Sequence, residues 1–185
     1  MSVLTSTLER LSAEGRVIDV FRDYLSGDAL TGVISHHNEE FLLLSLFDDF
    51  GNENGAAIIF ASDVTRVRWE SNSLNSITQL IERNSSAPFI PVVDIGNLKN
   101  LIQSVQNSCG HVTLHTERMD GDVCFIGELE EVDESAVIIK EYGSISGRDS
   151  ARIMVPVDEV TRIDAGGNYE KSIAFLARTP LNRTK

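Results

Sequence analysis

The five-residue segment Asp63-Val64-Thr65-Arg66-Val67 recurs, with conservative changes, as Glu159-Val160-Thr161-Arg162-Ile163. The first copy starts at residue 63 and the second at residue 159, which is an offset of 96 positions. The same offset carries Ser76-Ile77 onto Ser172-Ile173. A constant offset over separate segments indicates that the chain contains two related halves, and a repeat of this kind decides how the rest of the sequence is interpreted.

The offset changes by single positions toward the N-terminus. It is 95 between Leu42-Leu43-Leu44 and Val137-Ile138-Ile139, and 94 between Gly27 and Gly121. Each change falls in a predicted turn, where insertions are tolerated. The sequence therefore predicts an internal duplication.

Leucines near the N-terminus predict a helix. Leu4, Leu8 and Leu11 have the i, i+4, i+7 spacing of one apolar helix stripe. At the offset of 94 they correspond to three further aliphatic residues, Leu98, Ile102 and Val105. We therefore predict that each half begins with a helix.

Apolar runs of the kind found in strands follow each predicted helix. In the first half they predict five short strands between residues 16 and 69 and a closing helix over 73–83. In the second half they predict a helix over 95–107, five strands between 111 and 164, and a closing helix over 169–178. Gly32 and Gly127 lie within the second strand of each half and permit sharp curvature. This order predicts a small barrel in each half.

Two prolines separate the halves. Pro88 and Pro91 stand among small residues and end the first closing helix, so they predict a linker between domains at 1–86 and 92–185. A unit of this size buries only about 60% of the surface that its unfolded chain exposes. We therefore expect each unit to pack against its twin or against another chain.

The pattern Tyr24-Leu25-x-Gly27, followed by Gly32-Val33-Ile34 and a leucine-rich strand, resembles the first motif of the Sm-like (LSm) proteins. The segments that begin at Asp63 and Glu159 resemble, more weakly, the final strand of the second motif. The resemblance implies a mainly β fold with flanking helices (α+β). It implies two tandem five-stranded Sm-like or SH3-like barrels, each with an N-terminal and a C-terminal helix.

The chain departs from the RNA-binding members of that family. Those members place an Asp and an Asn between strands two and three, where this chain has Ser35 and Glu40 in one half and Glu130 and Ser135 in the other. Where the family has a basic residue and a glycine, this chain has Ala61-Ser62 and Val157-Asp158. A carboxylate in such a pocket repels phosphate, so we expect the fold without binding of U-rich RNA.

The charge of the chain also argues against RNA binding. Its formal net charge is −12, and both halves are acidic. A field of that sign repels nucleic-acid backbones and anionic lipid heads, which argues against nucleic-acid and membrane partners. No run of the ~18 apolar residues that a membrane span needs is present.

Cys109 and Cys124 are not expected to pair, and a reducing cytoplasmic location fits this expectation.

Two clusters contain the residue types that bind metals. His36-His37-Asn38-Glu39-Glu40 is either a metal site or a polar hairpin turn, and the aligned segment, Glu131 to Ser135, contains no histidine. Cys109, His111 and His115 share one face if they lie on one strand, and we expect that face to point to solvent. No third metal ligand or orienting residue is identifiable for them, so we predict no catalytic residue, no metal site and no cofactor.

Trp69 has no aromatic counterpart in the second half, where Ala165 stands in its place. An unpaired tryptophan marks either a partner surface or ordinary core filling. The residues that we predict for a partner surface are Trp69, His36, His37 and Glu40.

We expect a non-enzymatic protein-interaction or assembly module that binds a protein partner or associates with itself. The alternatives are an RNA-binding Sm-like protein and a hydrolase-type enzyme. For self-association we favour a monomer or a dimer, because the closing helices are apolar on one face and can cover the strand edges. A trimer that forms a pseudo-hexameric ring is the competing arrangement.

Overall fold

A computed structural model describes residues 2–144 and 150–179. The chain divides into two compact units, Met1–Ile90 and Pro91–Lys185, which we call the first and the second unit. No helix in the described residues is long and apolar enough to cross a membrane.

The first unit contains two helices and five strands. The helices are α1 (Val3–Glu14) and α2 (Asn72–Asn84), and the strands are β1 (Ile18–Arg22), β2 (Ser26–His37), β3 (Phe41–Phe47), β4 (Glu53–Phe60) and β5 (Arg66–Arg68). A 3-10 turn, Ala61–Asp63, links the last two strands. The strands form an antiparallel sheet in the order β5-β1-β2-β3-β4.

Helix α1 begins and ends where its local chemistry requires. The Ser2 hydroxyl accepts a hydrogen bond from the backbone N–H of Thr5 (3.1 Å), which satisfies a donor in the first turn. Gly15 ends the helix in the left-handed conformation, with φ of 60°. Leu8 and Leu11 are buried, so this part of the predicted apolar stripe of α1 faces the core of the first unit, whereas Leu4, its first residue, is exposed.

The core of the first unit lies between α1 and the sheet. It contains aliphatic residues from α1 and from β1 to β4, among them Ile18, Leu42 and Ile59. Gly32 allows the backbone of β3 to approach closely, because a Cβ atom at this position would overlap the carbonyl oxygen of Ser45.

The second unit has the same element order. Its helices are α3 (Leu98–Cys109) and α4 (Asn168–Arg178), and its strands are β6 (Val112–His115), β7 (Cys124–Val132), β8 (Ala136–Glu141), β9 (Ala151–Pro156) and β10 (Arg162–Ala165). A 3-10 turn, Val157–Glu159, precedes β10, and the strand order is β10-β6-β7-β8-β9.

Strand registers agree between the units. Ile18 pairs with Gly32 in the first unit, and Val112 pairs with Gly127 in the second. The register between the second and third strands shifts after Ile34 in one unit and after Leu129 in the other. The residues that correspond in these registers are the same residues that the sequence offsets of 94 and 95 align. The duplication itself stays a prediction.

The mainly β fold with flanking helices is confirmed, but the prediction of two closed Sm-like barrels is wrong. Within the described residues, β4 does not pair with β5 and β9 does not pair with β10, so the sheet is open in each unit. Closure requires the two end strands to share a hydrogen-bonded ladder. Strand β5 has only three residues, all paired with β1, and is too short for a second long ladder. Curvature at a glycine therefore does not imply closure.

A candidate interaction groove in the first unit

The β2–β3 hairpin of the first unit ends in a hydrogen-bonded turn. The Asn38 side-chain oxygen accepts hydrogen bonds from the backbone N–H groups of Glu40 (2.9 Å) and Phe41 (2.6 Å). The Asn38 N–H donates to the Phe41 carbonyl oxygen (2.9 Å). This local pattern is an Asx turn, which explains why an Asn follows directly after the strand.

The hairpin is tied to the turn that precedes β5. The Ala61 N–H donates to the Glu40 carbonyl oxygen at 2.8 Å. Helix α1 lies alongside, and together the three segments surround an open groove of about 750 Å³. We call this feature the hairpin groove.

The hairpin groove has an apolar part and an acidic part. Leu4, Leu8 and Ala61 supply apolar lining, and Glu9 and Glu39 supply its carboxylates. Leu8 is buried, whereas Leu4 remains 40% exposed. No Lys or Arg lines the groove in the part of the chain that the structure describes. The lining therefore combines exposed apolar surface with negative charge.

The structure places the predicted partner-surface residues in two locations. His37 lines the hairpin groove, and the exposed residues His36 and Glu40 belong to the same hairpin. Trp69 lies elsewhere: it packs against the core of the first unit, with the Arg10 guanidinium 5.7 Å from its ring centroid.

Sequence reasoning missed the part of the groove that α1 contributes. The leucine spacing predicts a core position for Leu4, and no motif singles out Glu9. The repeat contains one signal that could have indicated this surface. Lys99 of the second half corresponds to Thr5 in the first half, so the first half lacks a positive charge at this position.

The matching hairpin of the second unit is built in the same way. The Asp133 carboxylate accepts from the N–H groups of Ser135 (2.7 Å) and Ala136 (2.9 Å). The hydrogen bonds from Ser135 hold the pKa of Asp133 below its usual range. Here, however, the hairpin carboxylate of Glu134 forms an ion pair with Lys99 of α3, with 3.6 Å between Nζ and Oε1.

The second unit also contains a buried polar cluster. His115 Nε2 lies 2.9 Å from Asp164 Oδ2, and the Arg162 Nε–H donates to Asp164 Oδ1 at 2.6 Å. Burial raises the pKa of Asp164, but the charge of Arg162 and then that of His115 outweigh it and hold this pKa well below its usual range. The carboxylate is therefore ionised and binds two partners.

The expectation that Cys109, His111 and His115 share a solvent-facing strand surface is wrong. Cys109 is the last residue of α3, and both histidines are largely buried. Cys124 lies opposite His115 in the β6–β7 register and packs against a cluster that includes Ile173 and Ala174 of α4. Helix α4 therefore covers the face that the alternation assigned to solvent.

The buried cluster lacks an activated nucleophile among the described residues. Cys124 lies opposite His115 in the strand register, and His115 contacts Asp164, so the three residue types match a nucleophile, a base and an orienting acid. Burial, followed by the charges of Asp164 and Glu170, raises the pKa of the Cys124 thiol. Since the thiolate is the reactive species, this environment opposes nucleophilic chemistry.

His111 is also buried, but unlike His115 it has no ion pair with a carboxylate among the described residues. Burial lowers the pKa of His111, although a backbone hydrogen bond with Cys109 opposes this shift. The two cysteines are free thiols. No group of three or more His, Cys, Asp and Glu side chains in residues 2–144 and 150–179 is arranged to hold a metal ion.

Comparison of the chain with models of protein families, with curated proteins and with solved structures found no match. This result and the open sheet together overturn the resemblance to Sm-like proteins.

Proposed function

We propose that the chain is a non-enzymatic protein-interaction module whose partner binds in the hairpin groove. The observation that carries this proposal is the position of Leu4, an exposed aliphatic side chain, within a groove whose hairpin and turn are joined by backbone hydrogen bonds. An apolar surface with a polar rim is typical of binding sites on soluble proteins.

The dimensions of the groove support binding of a few side chains. Its volume of about 750 Å³ falls in the range of roughly 300–1,000 Å³ for ligand-binding clefts. Because the Asx turn and the Ala61 hydrogen bond already fix the hairpin, a partner would meet a largely formed surface. Preorganisation of this kind lowers the entropic cost of binding.

The lining of the groove favours binding over hydrolysis. Its one histidine, His37, has no hydrogen-bonded carboxylate or nucleophile among the described residues. General acid–base catalysis needs such a partner within hydrogen-bonding reach. This observation supports a module without enzymatic activity.

Peptide selection tests the proposal. Twelve-residue peptides from a random phage library are selected on the full chain, and their affinities are measured by calorimetry. We expect the substitution Leu4→Glu to weaken binding by at least tenfold. Phe175→Glu changes an exposed apolar residue of α4, outside the groove, and is the control. Peptides that respond to Phe175→Glu but not to Leu4→Glu would refute the groove as the binding surface.

Self-association is a second candidate function, and β9 favours it. This strand is at one end of its sheet and pairs with β8 through six consecutive residues. Its other edge has no strand partner in the described part of the chain, and such an edge is a template for pairing. We expect a dimer, which Ile153→Pro would convert to a monomer in light scattering after size exclusion. A mass of three chains would contradict this expectation.

A further inference from the structure

We infer that the partner of the hairpin groove is a cationic amphipathic segment, in which Lys or Arg side chains flank an aliphatic one. This inference rests on the proposed function, because it specifies what the same groove binds. A carboxylate that lacks an ion-pair partner among the described residues of the first unit corresponds to one that has a partner in the second.

The two carboxylates of the groove have no intramolecular cation. Within the described residues, neither Glu9 nor Glu39 forms an ion pair. The nearest arginine along α1, Arg10, pairs with Glu14 at 3.1 Å. Charges of one sign beside an apolar surface select a partner with the opposite sign.

The second unit supplies the missing cation from its own helix. Lys99 pairs there with Glu134, the residue that corresponds to Glu39. In the first unit the position of Lys99 is Thr5, whose hydroxyl lies 2.9 Å from that of Ser2 and belongs to the helix cap. The first unit thus leaves open a place that an external Lys or Arg side chain would occupy.

The orientation of the partner follows from the helix. The N-terminus of α1 carries roughly half a positive charge, and this effect is confined to the first turn. Glu9 lies in the second turn, away from it. The cationic side chains of a partner are therefore expected beside Glu9 and Glu39, and its aliphatic side chain beside Leu4.

Three ten-residue synthetic peptides test the charge and the apolar requirement separately. One alternates lysine with leucine, one alternates glutamate with leucine, and one alternates lysine with glycine. Affinity for the full chain is measured by fluorescence anisotropy at low salt, beside a labelled U-rich RNA. We expect the lysine–leucine peptide to bind at least tenfold more tightly than the other probes and to weaken as salt is added.

Variants that exchange residues between matching positions of the two units provide the controls. Thr5→Lys places an intramolecular cation beside Glu39 and should weaken binding of the lysine–leucine peptide about threefold, whereas Lys99→Thr should leave it unchanged. Glu39→Gln and Glu9→Gln should each weaken it about threefold. An unchanged affinity in Thr5→Lys overturns the inference, and so does preferred binding of the glutamate peptide or the RNA.

The outcomes also separate this inference from the proposed function. If the glutamate–leucine peptide binds and Leu4→Glu abolishes its binding, the groove is an interaction surface and only the charge of its partner is wrong. If the lysine–leucine peptide binds but neither Leu4→Glu nor Thr5→Lys changes its affinity, both the proposed function and the inference about charge fail. If no peptide binds at millimolar concentration, the inference fails, and the phage selection alone decides the proposed function.

Discussion

The Thr-Arg pairs of the two units have the same local geometry but different burial. In the first unit the Thr65 hydroxyl accepts from the Asp23 N–H (3.1 Å) and donates to the Asp23 carboxylate (2.5 Å). In the second unit Thr161 makes the same two contacts with Glu117, at 3.1 and 2.8 Å. The carboxylate side chain is 39% exposed in Asp23 and 2% exposed in Glu117.

The arginines show the same contrast. Arg66 is 56% exposed, forms a bidentate pair with Asp23 and stacks on the Phe21 ring at 3.6 Å. Arg162 is 18% exposed and lies beside His115, the counterpart of Phe21. One short motif thus builds a solvated ion pair in one unit and a buried network in the other, and burial decides how much each contributes to stability.

The largest expected loss of stability follows from a substitution of Asp164. Asp164→Asn leaves Arg162 buried without its principal counter-charge, so we expect the second unit to lose about 3–5 kcal/mol of stability. Urea denaturation followed by circular dichroism, with hydrogen exchange of β6 and β10, measures this loss. Asp23→Asn removes the counter-charge of Arg66, the exposed counterpart of Arg162, and we expect a much smaller loss there. Equal losses would show that burial does not separate the two networks.

A smaller effect is expected at the threonines. Thr161→Val keeps the side-chain volume but removes the hydroxyl that both accepts from and donates to Glu117, so we expect a loss of about 1–3 kcal/mol. Thr65→Val removes the same hydrogen bonds where water can replace them. The fluorescence of Trp69, the one tryptophan of the chain, follows unfolding of the first unit. A larger loss in Thr65→Val than in Thr161→Val would reverse the comparison.

Glu170 predicts a pH dependence of the second unit. Burial, followed by the charge of Asp164, raises the pKa of Glu170. Its stabilising contribution is therefore complete below the pKa of an unfolded glutamate, about 4.3, and is lost as pH rises through the folded pKa. We expect Glu170→Gln to stabilise the second unit at pH 7 relative to the native chain and to have little effect at pH 4. Denaturation curves at both pH values check this, and equal effects would contradict it.

The smallest expected effect concerns the ion pair of the second hairpin. Lys99 and Glu134 are both exposed, so Lys99→Thr should change the stability of the second unit by less than about 0.5 kcal/mol. Thermal unfolding measures this change. A larger loss would mean that Lys99 supports the fold, and it could then not serve as a neutral control for Thr5→Lys.

Local patterns predict the elements well. The leucine stripe around Leu8 and Leu11 forms α1, and the continuous apolar run over 41–47 forms β3 with the same bounds. Strand β4 begins at Glu53, inside a segment whose composition indicates a loop, because its first residues pair across the sheet with β3. Pairing between distant segments extends this strand beyond its local signal.

The amino-acid sequence alone determined the helices, most strands and the matched order of the two halves, because these follow from the spacing of apolar residues and from turn chemistry over a few positions. Tertiary structure decided whether the sheets close, which face of β6 is buried and where a groove forms. Those outcomes depend on ladders and packing between segments that are far apart in sequence. Strand β5 is too short to join β4, residues of α4 pack in the cluster beside Cys124, and Leu4 and Glu39 line one groove because α1 lies beside the hairpin.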